Sequence, residues 1–213
     1  MLEDTRDAIF SGGHRAFVGG DDDFFWRQIG ALQFDFLCAQ GLRPDHVLFD
    51  VACGCLRGGV HFIRYLAPGN YVGFDKFIEL VILGVGHELG LDVYASKKPR
   101  FRIGENFDFS GTGVAPNYAI AQSLFTHLTA ADIRACLRGL AAVSPQGMRF
   151  YATFFETQDA KWRNPAASHS HGFFAYTAAE MAAFGAECGF APRYIGDWTH
   201  PRGQRMMEYV CAA

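Results

Sequence analysis

The sequence predicts an α/β protein built on one mostly parallel sheet with helices on both faces. Three observations predict this class. Apolar runs of strand length alternate five times with segments of helical period, which is typical of a parallel sheet. The first of these units carries a glycine-bearing turn between its strand and its helix. Two later apolar runs, joined by a turn at 201–203, predict a closing antiparallel hairpin.

The first strand, turn and helix lie at 47–66. An apolar run at 47–51, which Asp50 interrupts, predicts a buried strand. Val60, Ile63 and Leu66 recur at helical spacing, so a helix follows the turn. A turn of this kind presents backbone N–H groups and a helix N-terminus to a ligand.

A second apolar strand is predicted at 71–75, and it ends in the carboxylate of Asp75. An acidic residue at this position is suited to accept hydrogen bonds from the ribose hydroxyls of a nucleotide. The strand, turn, helix and acid-terminated strand therefore predict the first half of a nucleotide-binding sheet. This unit by itself leaves the nucleotide open.

At this point the sequence resembles a known family, the class I S-adenosylmethionine-dependent methyltransferases. Their first motif is an apolar strand, an acid and then Gly-x-Gly-x-Gly, and here it reads Asp50-Val-Ala-Cys-Gly-Cys-Leu56. Gly54 keeps the middle glycine, whereas Ala52 and Leu56 occupy the outer positions. Leu56 predicts a turn that needs no bare backbone at that position.

The resemblance covers roughly residues 25–211 and includes a segment after the fourth strand, Ala119-Ile-Ala-Gln-Ser-Leu-Phe-Thr-His-Leu128. It implies a single-domain, Rossmann-like class I methyltransferase sheet of seven strands, mostly parallel, with a C-terminal antiparallel hairpin. It also implies S-adenosylmethionine as the cofactor. We expect one domain at 1–213, with a polar segment at 1–22, a helix at 23–41 and the core at 45–211.

The resemblance also implies where the cofactor binds. Its methionine portion is expected at the turn and after the fourth strand, its ribose at Asp75 and its adenine beside Asn106 and Phe107. Arg57 is suited to pair with the cofactor carboxylate. The implied cofactor-binding residues are Asp50, Ala52, Cys53, Gly54, Arg57, Asp75, Lys76, Asn106, Phe107, Gln122 and Ser123.

Each of these assignments has an alternative in which the residue has a structural role and does not bind the cofactor. Asp50 and Asp75 are also suited to cap a turn, and Arg57 to form a surface salt bridge on the following helix. For Asn106 and Phe107 the alternative is that they are ordinary loop residues.

The remaining elements are predicted from periodicity and capping signals. Residues 1–22 are polar and rich in glycine, and the segment ends at 19–23 in a predicted loop and helix start. Helices are predicted at 23–41, with Phe25, Ile29, Leu32 and Phe36 on the apolar face, at 78–89, where Gly90 ends the helix, and after Thr129 and Thr177. A loop is predicted that ends at Pro99. Strands are predicted at 100–103, 118–121 and 148–155, and the strands of the closing hairpin at 194–195 and 206–210.

Two histidines are candidate general bases. His127 follows the fourth strand, and the alternative for it is a packed, hydrogen-bonded role. His171 lies in the stretch 156–176, which lacks periodicity and carries Trp162 and His169. Because this stretch follows the fifth strand, we expect it to form the wall or lid of an acceptor site. The histidines show no metal-ligand spacing, so we expect no metal.

The composition narrows the function classes. Half of the residues are hydrophobic and 19% are charged, which excludes a disordered chain. A net charge of −3 without a long basic run disfavours nucleic acid as a partner. No apolar run has the length of a membrane span and no signal peptide is recognised, so we expect a cytoplasmic protein whose six cysteines are reduced. The oligomeric state stays open, with a homodimer as one alternative.

The sequence therefore predicts a methyltransferase that acts on a small molecule, with a hydroxyl oxygen favoured as the acceptor. Three alternatives remain: an N-methyltransferase, a nicotinamide-nucleotide reductase and a non-catalytic nucleotide-binding module. The reductase is suggested by the Tyr94-x-x-x-Lys98 pattern, but this pattern stands before the third strand, whereas such chemistry needs it after the fourth.

Overall fold

The structure, a computed structural model, describes residues 2–20, 22–159 and 161–212, and the side chains of these residues from Asp7 onward. The described part contains eight strands: β1 Leu48–Val51, β2 Tyr71–Asp75, β3 Arg100–Ile103, β4 Tyr118–Ala121, β5 Arg149–Glu156, β6 Ala175–Tyr176, β7 Phe190–Asp197 and β8 Arg205–Cys211. They form one sheet in the order β3-β2-β1-β4-β5-β8-β7, with β6 paired to β5.

The directions of the strands confirm the predicted fold class. β2 and β3 are parallel, as are β1 and β4, β4 and β5, and β5 and β6. β8 is antiparallel to both β5 and β7, so β7 runs parallel to β5. The sheet has eight strands where seven were predicted, because the end of the aperiodic stretch forms the short strand β6.

The described helices are α1 Leu2–Gly12, α2 His14–Phe17, α3 Asp23–Ala39, α4 Gly59–Tyr65, α5 Ile78–Leu83, α6 Leu91–Lys97, α7 Ala130–Ala141 and α8 Ala178–Glu187. A π-helical segment, Gly84–Leu89, continues α5, and a 3₁₀ turn spans Phe125–His127. No described helix is long and apolar enough to cross a membrane. The loop predicted before Pro99 is wrong, because α6 occupies this stretch, and α1 and α2 form in a polar segment for which no helix was predicted. The helix start predicted at 23 is confirmed by α3.

The chain divides into two compact units. The first unit comprises Met1–His46 and Ala52–Gly104, and the second comprises Val47–Val51 and Glu105–Ala213. The expectation of a single domain stays a prediction.

In the first unit, a buried cluster explains why the N-terminal residues fold. Ile9 of α1 is fully buried with Trp26, Cys55 and Leu80. This burial stabilises a helix that local composition does not predict. The buried face of α3 comprises Trp26, Ile29, Gln33 and Leu37, so it is rotated from the predicted face, of which only Ile29 is buried.

In the second unit, both predicted helix starts are confirmed. The hydroxyl of Thr129 accepts a hydrogen bond from the Asp132 N–H at the start of α7. Thr177 and Glu180 form a complete capping box at the start of α8, since each side chain accepts from the other's backbone N–H. The central strands β4 and β5 lie in the core, and Ala119, Ile120 and Phe150 are fully buried.

Candidate functional site

In the first unit, the turn after β1 is hydrogen-bonded to the end of β2. The Cys53 N–H donates to the Phe74 carbonyl at 3.0 Å, and the Gly54 N–H donates to Asp75 Oδ2 at 2.8 Å. Cys53 Sγ packs so close to Gly73 that a Cβ on that glycine would lie 2.9 Å from the sulfur. The turn and the strand end therefore form one rigid element.

The backbone of this turn is left-handed at three alternate residues. Ala52, Gly54 and Leu56 have φ angles of 61°, 53° and 68°, a region that favours glycine. The backbone thus has a glycine-like conformation at all three positions of the Gly-x-Gly-x-Gly motif. The expectation that the turn needs no bare backbone at this position stays a prediction for Leu56. Its side chain is fully buried and packs against Gly59.

Ala52→Gly is expected to raise the free energy of unfolding slightly, by up to about 1 kcal/mol. Left-handed backbone costs a non-glycine residue about 1–2 kcal/mol, and the added entropy of an unfolded glycine offsets roughly 0.5–1 kcal/mol of that gain. The matched control is Ala95→Gly on the exposed side of α6, where the same change is expected to destabilise by about 1 kcal/mol. Urea denaturation of both variants measures this, and equal losses would show that Ala52 carries no strain.

Asp75 acts as a cap in the structure. Its Oδ2 accepts from Gly54 and its Oδ1 accepts from the Phe77 N–H at 2.9 Å, just before α5. Burial raises the pKa of Asp75, although the backbone N–H groups of Phe77 and Gly54 oppose this rise. The Lys76 N–H also bonds to this carboxylate. A carboxylate has about four lone-pair sites, so some acceptor capacity remains beyond these three N–H groups. Lys76 is exposed, and its Nζ lies 4.8 Å from the centre of the Phe77 ring.

The N-terminal segment lies against the turn through Arg57 and Val18. Arg57 Nη2 donates to the Val18 carbonyl at 2.5 Å, and its guanidinium lies 5.1 Å from the Trp26 ring centre. A Cβ on Gly54 would lie 3.4 Å from Val18 Cγ1. Cys55 Sγ is 3.4 Å from the His14 carbonyl oxygen. Arg57 therefore binds the segment that covers the turn.

Glu88 also holds this N-terminal segment, through His14 and Arg15. Its side chain is buried and receives His14 Nε2 at 2.7 Å, Arg15 Nε at 2.7 Å and Arg15 Nη2 at 2.6 Å. Burial alone would raise the pKa of Glu88, but the hydrogen bonds from Arg15 and His14 outweigh it and the pKa is lowered. The carboxylate is thus charged at neutral pH and holds α2 in place. His14 and the nearby His87 stack at 5.4 Å.

In the second unit, Gln122 and Ser123 belong to a polar cluster beyond β4. The Ser123 N–H donates to Thr153 Oγ1 at 2.7 Å, and Ser123 Oγ is 2.7 Å from Gln204 Nε2. Gln122 Nε2 lies 3.1 Å from both Gln204 Oε1 and His200 Nε2. Gln122 Oε1 is buried and accepts no hydrogen bond from any described residue. Within the described part of the chain, this oxygen is an acceptor to which no group donates.

His127 is held by the stretch that follows β5. Its Nδ1 lies 2.6 Å from the Gly172 carbonyl oxygen. A carbonyl only accepts, so Nδ1 carries the proton and Nε2 is the acceptor nitrogen of the ring. Backbone hydrogen bonds from the His169 N–H to the His127 carbonyl (3.1 Å) and from the Phe174 N–H to the Thr126 carbonyl (3.0 Å) hold the C-terminal part of this stretch. These hydrogen bonds fix the orientation of the imidazole.

No family model matches the chain. Solved structures match all or nearly all of it. Magnesium protoporphyrin IX methyltransferase (ChlM) from Synechocystis PCC 6803 with bound SAH has a TM-score of 0.70 and 16% identity, over 100% of both chains. The amino pentose methyltransferase CalS10 from Micromonospora echinaspora has a TM-score of 0.62 and 17% sequence identity, over 96% of this chain and 97% of that chain. Human N-acetylserotonin methyltransferase has a TM-score of 0.66 and 12% sequence identity, over 100% of this chain and 60% of that chain.

The chain has the class I methyltransferase fold. This confirms the fold that the resemblance implied, including the antiparallel ending of the sheet. The fold positions the predicted residues in two sets. Cys53, Gly54 and Asp75 come together in the first unit, and Gln122 and Ser123 come together in the second.

The structure also describes the surroundings of the other predicted residues. Asp50 is buried at the centre of β1. Asn106 is exposed, and its Oδ1 lies 3.3 Å from the Asp108 N–H within its own loop. The Phe107 carbonyl packs on α7, where a Cβ on Gly139 would lie only 2.1 Å from it. His171 is exposed, and its N–H donates to His169 Nδ1 at 3.1 Å. The sequence reasoning did not foresee these contacts.

The sequence did not predict His200 and Gln204, which also belong to the polar cluster around Gln122. Both are buried in the turn between β7 and β8, where His200 stacks on Trp198 at 5.3 Å and contacts Gln122. Because β7 is parallel to β5, this turn lies at the same edge of the sheet as the carboxyl ends of β4 and β5. The predicted hairpin was the only available signal, since it places its turn at that edge.

Proposed function

We propose that this protein is an S-adenosylmethionine-dependent methyltransferase that transfers a methyl group to a hydroxyl oxygen of a small molecule. The observation that carries the proposal is the left-handed turn at Ala52, Gly54 and Leu56, fastened to the carboxylate of Asp75. Its support includes the methyltransferase fold and the structural neighbours crystallised with SAH or SAM.

The chemistry of the donor set fits this cofactor. In the first unit, the remaining acceptor capacity of Asp75 suits the ribose hydroxyls. In the second unit, Gln122 Oε1, which accepts no hydrogen bond from the described residues, suits an ammonium group such as that of the methionine portion. Arg57 is proposed to reach the cofactor carboxylate while it holds Val18, because a guanidinium has five N–H donors. Further contacts are proposed for Asp50, Ala52, Cys53, Lys76, Asn106, Phe107 and Ser123.

The cofactor supplies an electrophilic methyl group on a sulfonium. With this group bound, the acceptor oxygen would gain the methyl carbon as the C–S bond breaks, and the electron pair of that bond would stay on the sulfur. The hydroxyl proton passes to His127 Nε2, whose Nδ1–H the Gly172 carbonyl holds. The protein's own task is to align the acceptor and to take this proton.

The neighbours act on different acceptors, which are a magnesium porphyrin, an amino pentose and N-acetylserotonin. They therefore assign no acceptor to this chain. The hydroxyl acceptor is supported by the oriented imidazole of His127, since an alcohol arrives protonated and needs a base.

Calorimetric titration with S-adenosylhomocysteine, NADH and NADPH tests the proposal. We expect saturable binding of S-adenosylhomocysteine and none of the nicotinamide nucleotides. Binding of a nicotinamide nucleotide alone would indicate a reductase instead. Binding of S-adenosylhomocysteine without methyl transfer to any hydroxyl compound would leave a non-catalytic binding module.

Arg57→Ala is expected to weaken the binding of S-adenosylhomocysteine by about tenfold, and Arg57→Lys to recover only part of this loss, because an ammonium lacks the planar fork. Arg27→Ala on the exposed side of α3 is the matched control and should leave the affinity unchanged. Calorimetry of the three variants measures this. Equal affinities for wild type and Arg57→Ala would restrict Arg57 to holding the Val18 carbonyl.

A further inference from the structure

Three aromatic side chains form a part-exposed corner at the end of β5. Phe155 and Phe173 stack with their ring centres 4.6 Å apart and their planes at 22°. Trp162 meets Phe173 edge-on, at 5.5 Å and 76°. Trp162 is 37% exposed and Phe173 is 51% exposed. Large aromatic side chains that are exposed together are typical of a binding surface.

The corner is held in one geometry. The indole N–H of Trp162 donates to Asn164 Oδ1 at 2.8 Å. Asn164 is itself bound to β6, because its Oδ1 accepts from the Ala175 N–H and its Nδ2 donates to the Ala175 carbonyl, both at 2.9 Å. The indole is thus anchored on the sheet although it is exposed. Rings that are already ordered lose little conformational entropy when they bind a ligand.

The corner and the imidazole of His127 are carried by the same segment. Phe173 stands between Gly172, whose carbonyl holds His127, and Phe174, whose N–H donates to the Thr126 carbonyl. The segment leaves the carboxyl end of β5, the edge at which ligands bind in α/β sheets. An acceptor that rests on the corner therefore lies on the segment that orients the base.

We propose that the aromatic corner of Phe155, Trp162 and Phe173 binds a planar aromatic ring of the methyl acceptor, which is an aromatic alcohol. Two perpendicular rings present a face and an edge, and aromatic groups prefer offset-stacked and edge-to-face contacts. The assignment of this ligand as the methyl acceptor rests on the proposed function, whereas the binding of an aromatic ring does not.

The test uses 1-naphthol and its saturated counterpart decahydro-1-naphthol as probes, titrated into the full chain without cofactor. We expect 1-naphthol to shift the indole N–H resonance of Trp162, assigned with Trp162→Phe, and to bind about three- to tenfold more tightly than the saturated ring. Phe173→Leu, which keeps an apolar side chain, should weaken the binding of 1-naphthol by a similar factor. Phe24→Leu, at a phenylalanine that is 67% exposed on α3, is the matched control and should not.

Equal binding of the aromatic and saturated rings would overturn the proposal, and so would an unmoved Trp162 resonance. Loss of self-association in Phe173→Leu, without any naphthol binding to the wild type, would assign the corner to a second copy of the chain instead. A parallel titration with S-adenosylhomocysteine separates the two proposals. Cofactor binding without naphthol binding removes only the aromatic acceptor, and naphthol binding without cofactor binding removes only the methyltransferase.

Discussion

Asp75→Ala is expected to weaken the binding of S-adenosylhomocysteine by about 10²-fold. Two ribose hydroxyls would lose a charged acceptor, and a hydrogen bond to a charged group contributes about 1.5–3 kcal/mol. A total loss near the lower end of the sum for two bonds corresponds to roughly 10²-fold in affinity. Calorimetry of the wild type and the variant at neutral pH measures this change.

The variant alone does not separate ribose binding from turn capping, because Asp75 also accepts the N–H groups of Gly54 and Phe77. The 2′-deoxy and 3′-deoxy forms of S-adenosylhomocysteine make the separation in the unaltered protein. Each is expected to bind the wild type about tenfold more weakly and Asp75→Ala no more weakly than the parent compound. Asp92→Ala, at an exposed carboxylate on α6, is the matched control. Undiminished binding of both deoxy forms to the wild type would leave Asp75 only as a cap.

The raised pKa of Asp75 gives the same prediction a pH signature. Protonation removes an acceptor, so the affinity for S-adenosylhomocysteine should fall as the pH is lowered through the folded pKa of this carboxyl. Burial raises that pKa, so the fall should begin above the ordinary aspartate value of about 3.9. The Asp75→Ala variant should lack this step.

The turn shows how far sequence reasoning reaches. The motif correctly identified positions 52, 54 and 56, and all three have the left-handed backbone that glycine favours. The side chains at two of these positions gave no sign of this conformation, because propensity argues against left-handed alanine and leucine. The hydrogen bonds to Phe74 and Asp75, together with the burial of Leu56, override that propensity.

The N-terminal helices show where it stops. Residues 1–22 carry no amphipathic period strong enough to predict a helix, and their glycines favour a loop. The structure stabilises α1 and α2 through long-range contacts instead, the burial of Ile9 and the bonds of His14 and Arg15 to Glu88. Such partners lie far away in sequence, so no local pattern contains them.

The polar cluster beyond β4 makes the same point for the site. Gln122 and Ser123 were predicted because a family segment contains them, whereas His200 and Gln204 belong to no motif. Their approach depends on the register of β7 and β8, in which a shift between Tyr194 and Gly196 alters the pairing before the turn. Periodicity predicted the hairpin but not this register.

Replacing His127 is expected to lower turnover by about 10²-fold or more, in the range that general bases contribute. Two substitutions distinguish catalysis from tethering. His127→Asn offers an N–H to the Gly172 carbonyl but no base, and His127→Ala offers neither. If His127 Nε2 takes the acceptor proton, both variants should lose turnover alike, while S-adenosylhomocysteine affinity hardly changes in either. Turnover is measured with labelled S-adenosylmethionine and 1-naphthol or another aromatic alcohol that the wild type methylates.

The rival base is His171, which the sequence also predicts. Its ring is exposed, and its backbone N–H is bound to His169 Nδ1. We expect His171→Ala to retain turnover within about fivefold, because the carbonyl-oriented imidazole of His127 is the better-placed base. Full turnover in His127→Asn would show that His127 only holds the segment, and a 10²-fold loss in His171→Ala alone would transfer the base to His171.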